Sequence, residues 1–195
     1  MAGFEVRNPT ITFDELNALD LGDTHLRLGY WGDGIHHSSI FVHVVEDNML
    51  VGMGMGGGKG LPGFLGKVTL EGIRHGISVC NKLCDKNFPI DIMIGIHNPV
   101  LNRSRQCFYH SRIYFQALLD DLTKAKQNGL SLQQTRDKLS LDKEYAPMRR
   151  YFDQPKNISE KHLNNIDQIW ELLQKEGSSN SQEKIIECVR TPLYL

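Results

Sequence analysis

Ser38 and Ser39 directly follow His37. A hydroxyl next to an imidazole is the pairing that nucleophilic hydrolysis uses. Sequence adjacency does not supply its geometry. Neighbouring side chains on an extended segment point to opposite sides, and no carboxylate is evident to orient the base, as a triad requires. A second candidate is the stretch GMGMGGGKGLPGFLG from Gly52 to Gly66. Glycine-rich loops can cradle phosphate, but a P-loop needs Lys followed by Ser or Thr at the head of a helix. Lys59 is followed by Gly60, Leu61 and Pro62, so the segment reads as a glycine-rich loop. Anion or small-molecule binding by Lys59 and nearby backbone N–H groups stays open, with no ligand selected. Cys80 and Cys84 lie four apart on one helix face. That is half a metal site at most, because no close second Cys or His pair accompanies it. Burial in the core is the expected role of both thiols.

The elements that must position these residues can be read from periodicity. Ile11 to Phe13 and Leu19 to Leu21 read as short strands, with a turn at Asp23. His25 to Tyr30 alternates as a strand does. Ile40, Val42 and Val44 point to one face, and Phe41, His43 and Val45 to the other. Glu46-Asp47-Asn48 is a turn, followed by a strand from Met49 to Met53. Together these predict an antiparallel meander. Leu70, Ile73, Ile77, Cys80 and Cys84 recur at helical spacing and mark one apolar helix face. Asp91 to Ile96 is a strand. Phe115, Leu118, Leu119, Leu122 and Ala125 mark a long helix that Gly129 should terminate. Ser131 and Gln134 form a capping box for a short helix, and Leu163, Ile166, Trp170 and Leu173 mark the last one.

Two stretches carry a resemblance. Tyr30 to Met55 reads YWGDGIHHSSIFVHVVEDNMLVGMGM, and Met93 to Val100 reads MIGIHNPV. Both resemble the second half of a metallo-β-lactamase-fold domain. There, a segment such as YFGPAHTPGDTFVYLPEEKVLFTGDLF carries a metal-binding His and Asp, and a later VVPGHGPV carries the last metal-binding His. Aligned without a gap, with Gly32, Phe41, Val42, Glu46 and Leu50 matching, the first His falls on Ile35 and the Asp on Gly54. The final His is kept as His97. A one-residue shift would place His36 at the first ligand position instead. Ile35 has no donor atom and Gly54 has no side chain, whereas a catalytic zinc site keeps about three protein ligands. The ion is what makes hydroxide available at neutral pH. The reading is therefore that no residue is catalytic, that no cofactor is bound and that no metal is held. If a site exists, it uses His36, His37 and His97. Otherwise His36 and His37 are polar loop residues, and His97 is a strand-end residue satisfied by the backbone.

The resemblance covers roughly Asn8 to Leu173, and the helices after the MIGIHNPV strand fit a hydrolase-like branch of the superfamily. It implies an α/β fold, half of an αβ/βα sandwich, with an antiparallel-rich sheet followed by helices. The family's earlier H-x-H-x-D-H motif does not occur in the sequence. The expected organisation is a partial domain over residues 8–176 and a linker and tail over 177–195. A half sandwich leaves one apolar sheet face to be covered. The expected cover is a second copy, through that exposed sheet face; a separate chain carrying the missing half, or the tail, would be alternatives. The formal net charge of -1 argues against a nucleic-acid partner. The absence of an apolar signal segment or a membrane-length apolar run argues against a membrane and for a cytoplasmic location. A hydrolase completed by oligomerisation is the competing functional class.

Overall fold

The computed structural model describes residues 8–14, 16–30, 40–52, 60–64, 68–95, 104–153 and 156–178. Its strands are β1 (Leu16–Asp20), β2 (His25–Tyr30), β3 (Ile40–Val44), β4 (Met49–Gly52) and β5 (Ile92–Ile94). They form one five-stranded sheet in sequence order. The first four strands are the expected antiparallel meander, and β5 joins β4 in parallel. A parallel neighbour needs a crossover, and the helix α1 (Leu70–Leu83) provides it. The helices α2 (Ser104–Gln127), α3 (Leu132–Lys138) and α4 (Ile158–Ser178) follow.

Local chemistry accounts for the element ends. Asn48 takes a φ of 47° in the turn before β4. The Thr69 hydroxyl caps α1 by accepting from the Gly72 N–H at 2.9 Å. Ser131 and Gln134 close a reciprocal capping box on α3, and Gly129, at φ 71°, stands where α2 has ended. Ile11 to Phe13 is not a strand: β-branched composition alone does not hold a strand that has no partner. The first strand is instead Leu16–Asp20, which pairs residue for residue with β2. The 3-10 segment Ala146–Tyr151 went unforeseen.

The register sorts the side chains into rows. Ala18, Arg27, His43, Leu50 and Met93 lie in one row, and Leu16, Gly29, Phe41 and Gly52 in another. Phe41, Leu50 and Met93 on this face join the core cluster with Ile73, Ile77, Phe115, Leu118 and Ile169. The helices therefore pack here. The opposite face carries the rows Leu19–Leu26–Val44–Met49–Ile92 and Asn17–Leu28–Val42–Val51–Ile94. None of these residues belongs to that cluster. Val44 is buried, Ile40 is 50% exposed and most of the others are half-buried.

Phe41 depends on Gly29. A Cβ at Gly29 would stand 2.2 Å from the Phe41 ring, so the glycine is the space into which the ring lies. Gly29→Ala is expected to destabilise the protein by about 1–3 kcal/mol, as overpacking of a core does. Combining it with Phe41→Leu should cost less than the two changes summed. Urea unfolding of the four proteins in this double-mutant cycle measures both effects.

Candidate functional site

The strand ends define where a site can be built. Phe41 at the start of β3 pairs with Gly52 at the end of β4, and Val51 of β4 pairs with Ile94 at the end of β5. The start of β3 and the ends of β4 and β5 therefore lie at one end of the sheet. From that end depart the three segments that carry Ile35 to His37, Gly54 and His97. Gly52 closes this edge tightly. Its φ is 93°, and an added Cβ would sit 3.0 Å from the Ile40 carbonyl oxygen. Only glycine adopts that backbone without strain.

Ile35, His36, His37, Ser38, Ser39, Gly54, Lys59 and His97 themselves lie outside the described residues. Among the described residues, no group of three or more His, Cys, Asp and Glu side chains could hold a metal ion. Cys80 is buried and Cys84 half-buried, both as free thiols, in keeping with a core role. Burial pushes the Cys80 thiol up to about 12, so it is not a nucleophile near neutrality.

Three of the described histidines have structural roles. His43 is buried on the helix-facing side, with Nε2 3.1 Å from the Pro89 carbonyl oxygen. A carbonyl only accepts, so Nε2 carries the proton, and the buried Nδ1 is left without a hydrogen-bonding partner. Desolvation lowers the pKa of His43. At the other end of the sheet, His25 hydrogen-bonds Glu46 through both its backbone N–H and Nδ1, tying the start of β2 to the turn after β3. The Nδ1 bond raises the pKa of His25, and the backbone N–H together with Nδ1 holds the Glu46 carboxyl at about 2.

The third, His162, belongs to a buried polar network that escaped sequence reading. The Tyr114 hydroxyl lies 2.8 Å from His162 Nδ1, and His162 Nε2 lies 2.7 Å from the Leu139 carbonyl oxygen. Asn165 Nδ2 donates to the Tyr114 hydroxyl at 2.9 Å and to the Pro62 carbonyl at 2.8 Å. All three side chains are buried. The available signal was two polar residues, His162 and Asn165, on the apolar stripe of α4 that Ile158, Ile166, Ile169 and Leu173 define. A separate groove of about 580 Å³ runs between α1 and α2, lined by residues including Arg74, Gln116, Asp120 and Lys124 and by none from the strands.

Solved structures share the fold of this chain. The stereoselective inverting sec-alkylsulfatase Pisa1 from Pseudomonas sp. matches with a TM-score of 0.58 at 11% identity, over 84% of this chain and 26% of its own. A double mutant of PisA1 gives a TM-score of 0.57, also at 11% identity, over 85% and 26%. A metallo-β-lactamase family protein from Thermus thermophilus gives 0.54 at 18% identity, over 88% of this chain and 50% of its own. The fold is a partial metallo-β-lactamase fold. At these identities the likeness is one of fold. The chain spans between about a quarter and a half of the length of the structures it matches. No family model and no curated protein matches the sequence. Among the described residues, no helix of this partial metallo-β-lactamase fold is long and apolar enough to cross a membrane.

The histidine environments set a pH dependence. Burial lowers the pKa of both His43 and His162 below the ordinary 6.5. The unfolded chain then takes up protons that the folded chain resists, so stability is full above pH 6.5 and is lost as pH falls from there toward the folded values. The loss is at most about 1.4 kcal/mol per pH unit for each histidine. His25, raised and exposed, acts in the opposite sense. The melting temperature is expected to fall between pH 7 and pH 5, and His43→Gln should flatten that slope. Calorimetry across the pH range reads both.

Proposed function

We propose that this partial metallo-β-lactamase fold is a non-hydrolytic interaction module that self-associates through the open face of its sheet. The observation that carries the reading is the pair of rows Leu19–Leu26–Val44–Met49–Ile92 and Asn17–Leu28–Val42–Val51–Ile94, apolar but for Asn17 and packed by none of the described helices. Soluble monomers rarely expose contiguous apolar patches beyond a few hundred Å². Leaving several hundred Å² wet forgoes on the order of 10 kcal/mol at about 25 cal/mol per Å², comparable with the stability of a domain. A second copy, related by a two-fold axis, presents an identical sheet and is the commonest way to cover such a face. The positions of Ile35 and Gly54 in the family pattern support the non-hydrolytic part, because neither residue can ligate a metal.

The two faces of β3 make the test clean. Val42→Asp places a charge on the open face, and the variant is expected to stay folded but become monomeric. Phe41→Asp places the charge in the helix-packed core and should unfold the chain, since an unpaired buried charge costs several kcal/mol. Sedimentation velocity together with circular dichroism separates the outcomes. A wild-type protein that is monomeric at micromolar concentration would defeat self-association.

A second reading is favoured by the convergence of the strand ends that lead to His36, His37 and His97. In it the protein is a metal-dependent hydrolase completed by oligomerisation. Elemental analysis decides between the two. The first reading expects no stoichiometric zinc, iron or manganese in the purified protein. One or two metals per chain, lost on changing His97 to Ala, would overturn the first and favour the second.

A further inference from the structure

The buried network around His162 ties together α2, α4, the end of α3 and a short stretch that precedes α1. Pro62 lies in that stretch, residues 60–64, between the end of β4 and α1 and just after the segment that carries position 54. Leu61 and Phe64 are buried, and Phe64 stacks on Phe115 of α2 with ring centroids 5.1 Å apart. Between them, Gly63 runs so close to α4 that a Cβ there would meet Lys161 Cε at 3.0 Å and Asn165 Oδ1 at 3.6 Å. The Asn165–Pro62 bond is a polar tie of this stretch to α4.

The hydrogen atoms of the network are determined by its acceptors. The Leu139 carbonyl only accepts, so His162 Nε2 carries a proton. Nδ1 must then accept the Tyr114 O–H, and the Tyr114 oxygen accepts from Asn165. Every partner is satisfied with His162 neutral in this one tautomer. A second proton on His162 would occupy Nδ1. The Tyr114 O–H would lose its acceptor inside the core, and its oxygen would face two donors at once. Restoring the balance requires Tyr114 or Asn165 to move, and Asn165 holds Pro62.

The groups facing His162 offer little relief. From α2 comes Tyr114; from the turn after α3 comes Tyr145, with its ring 5.0 Å from the imidazole. The Tyr145 hydroxyl donates to Asp121, so that carboxylate is already engaged with a different partner. The α3 end contributes the Leu139 carbonyl, and on α4 itself Asn165 is neutral and Lys161 is exposed.

We propose that His162, Tyr114 and Asn165 form a proton-sensitive latch that holds residues 60–64 against α4 when His162 is neutral and releases them when it is protonated. The latch stands whether or not the neighbouring segments bind a metal or a partner. Below the ordinary histidine value of 6.5, each pH unit down to the folded value makes opening about tenfold more frequent, because opening is then coupled to uptake of one proton.

Amide hydrogen exchange tests this, with rates corrected for their intrinsic pH dependence. In the wild-type protein, the amides of Leu61, Gly63 and Phe64 should be protected at pH 7.5. They should lose protection by about tenfold per pH unit below 6.5, while the amides of Leu118 and Leu119 in α2 keep theirs. Asn165→Ala should leave 60–64 open at both pH values. His162→Gln, which stays neutral throughout, should abolish the pH dependence. Should that variant not fold, the NMR titration midpoint of His162 in the wild type must lie below 6.5, where the loss of protection levels off. Protection of 60–64 that persists unchanged to pH 5.5, a His162→Gln variant with the wild-type pH dependence, a His162 midpoint at or above 6.5, or opening of 60–64 only together with α2 would each overturn the latch.

Discussion

The sheet is apolar on both sides, and burial of one side against α1, α2 and α4 is the interaction on which the other elements here depend. Phe41, Leu50 and Met93 supply that side, from three adjacent strands. The space for Phe41 comes from Gly29 on the next strand, so a residue without a side chain determines how the ring of Phe41 packs. Once the helices are seated on this face, the alternation of β3 leaves Ile40, Val42 and Val44 turned the other way. The face that the described helices leave unpacked is thus a direct product of the packing that stabilises the covered one.

The helical layer is held by a different kind of contact. Apolar packing fills it, but its internal alignment is specified by polar groups. Arg136 of α3 grips Asp167 of α4 through two hydrogen bonds, and Lys126 of α2 reaches the Leu173 carbonyl. Tyr114, His162 and Asn165 do the same inside the core, where a mispaired group is costly. Such networks permit few arrangements. They give the layer a unique register that interchangeable leucines and isoleucines alone would not.

Much of this was legible in the residues. The alternation of HLRLGY and IFVHV, the Asn48 turn, the Ser131–Gln134 capping box and the Gly129 stop all act within a few positions of the chain, and each stands where the periodicity placed it. The failures were non-local. Ile11 to Phe13 has strand composition but no partner strand, and pairing is not written in a single segment. The 3-10 segment at 146–151 has no apolar period to announce it. Tyr114 and His162 are far apart in sequence, so their hydrogen bond could not be inferred, although a His and an Asn on the apolar stripe of α4 were there to be noticed. For the candidate site, the described strands show that the segments bearing Ile35, Gly54 and His97 depart from one end of the sheet. The side chains at those positions lie outside the described residues.

The parallel pairing of β4 with β5 also carries a kinetic meaning. Strands β1 to β4 meet their neighbours across short connections, whose closure costs little chain entropy. β5 reaches β4 only after the chain has travelled through the glycine-rich stretch and the whole of α1. Contacts of such long sequence separation slow folding. The meander can therefore assemble early as a local unit, and the edge next to β5 is completed last. During synthesis or refolding, the flank of β4 that β5 will occupy is an open strand edge, the surface most prone to pairing with the wrong chain. The same crossover that brings three strand ends together thus also sets the interval in which the molecule is most vulnerable to aggregation.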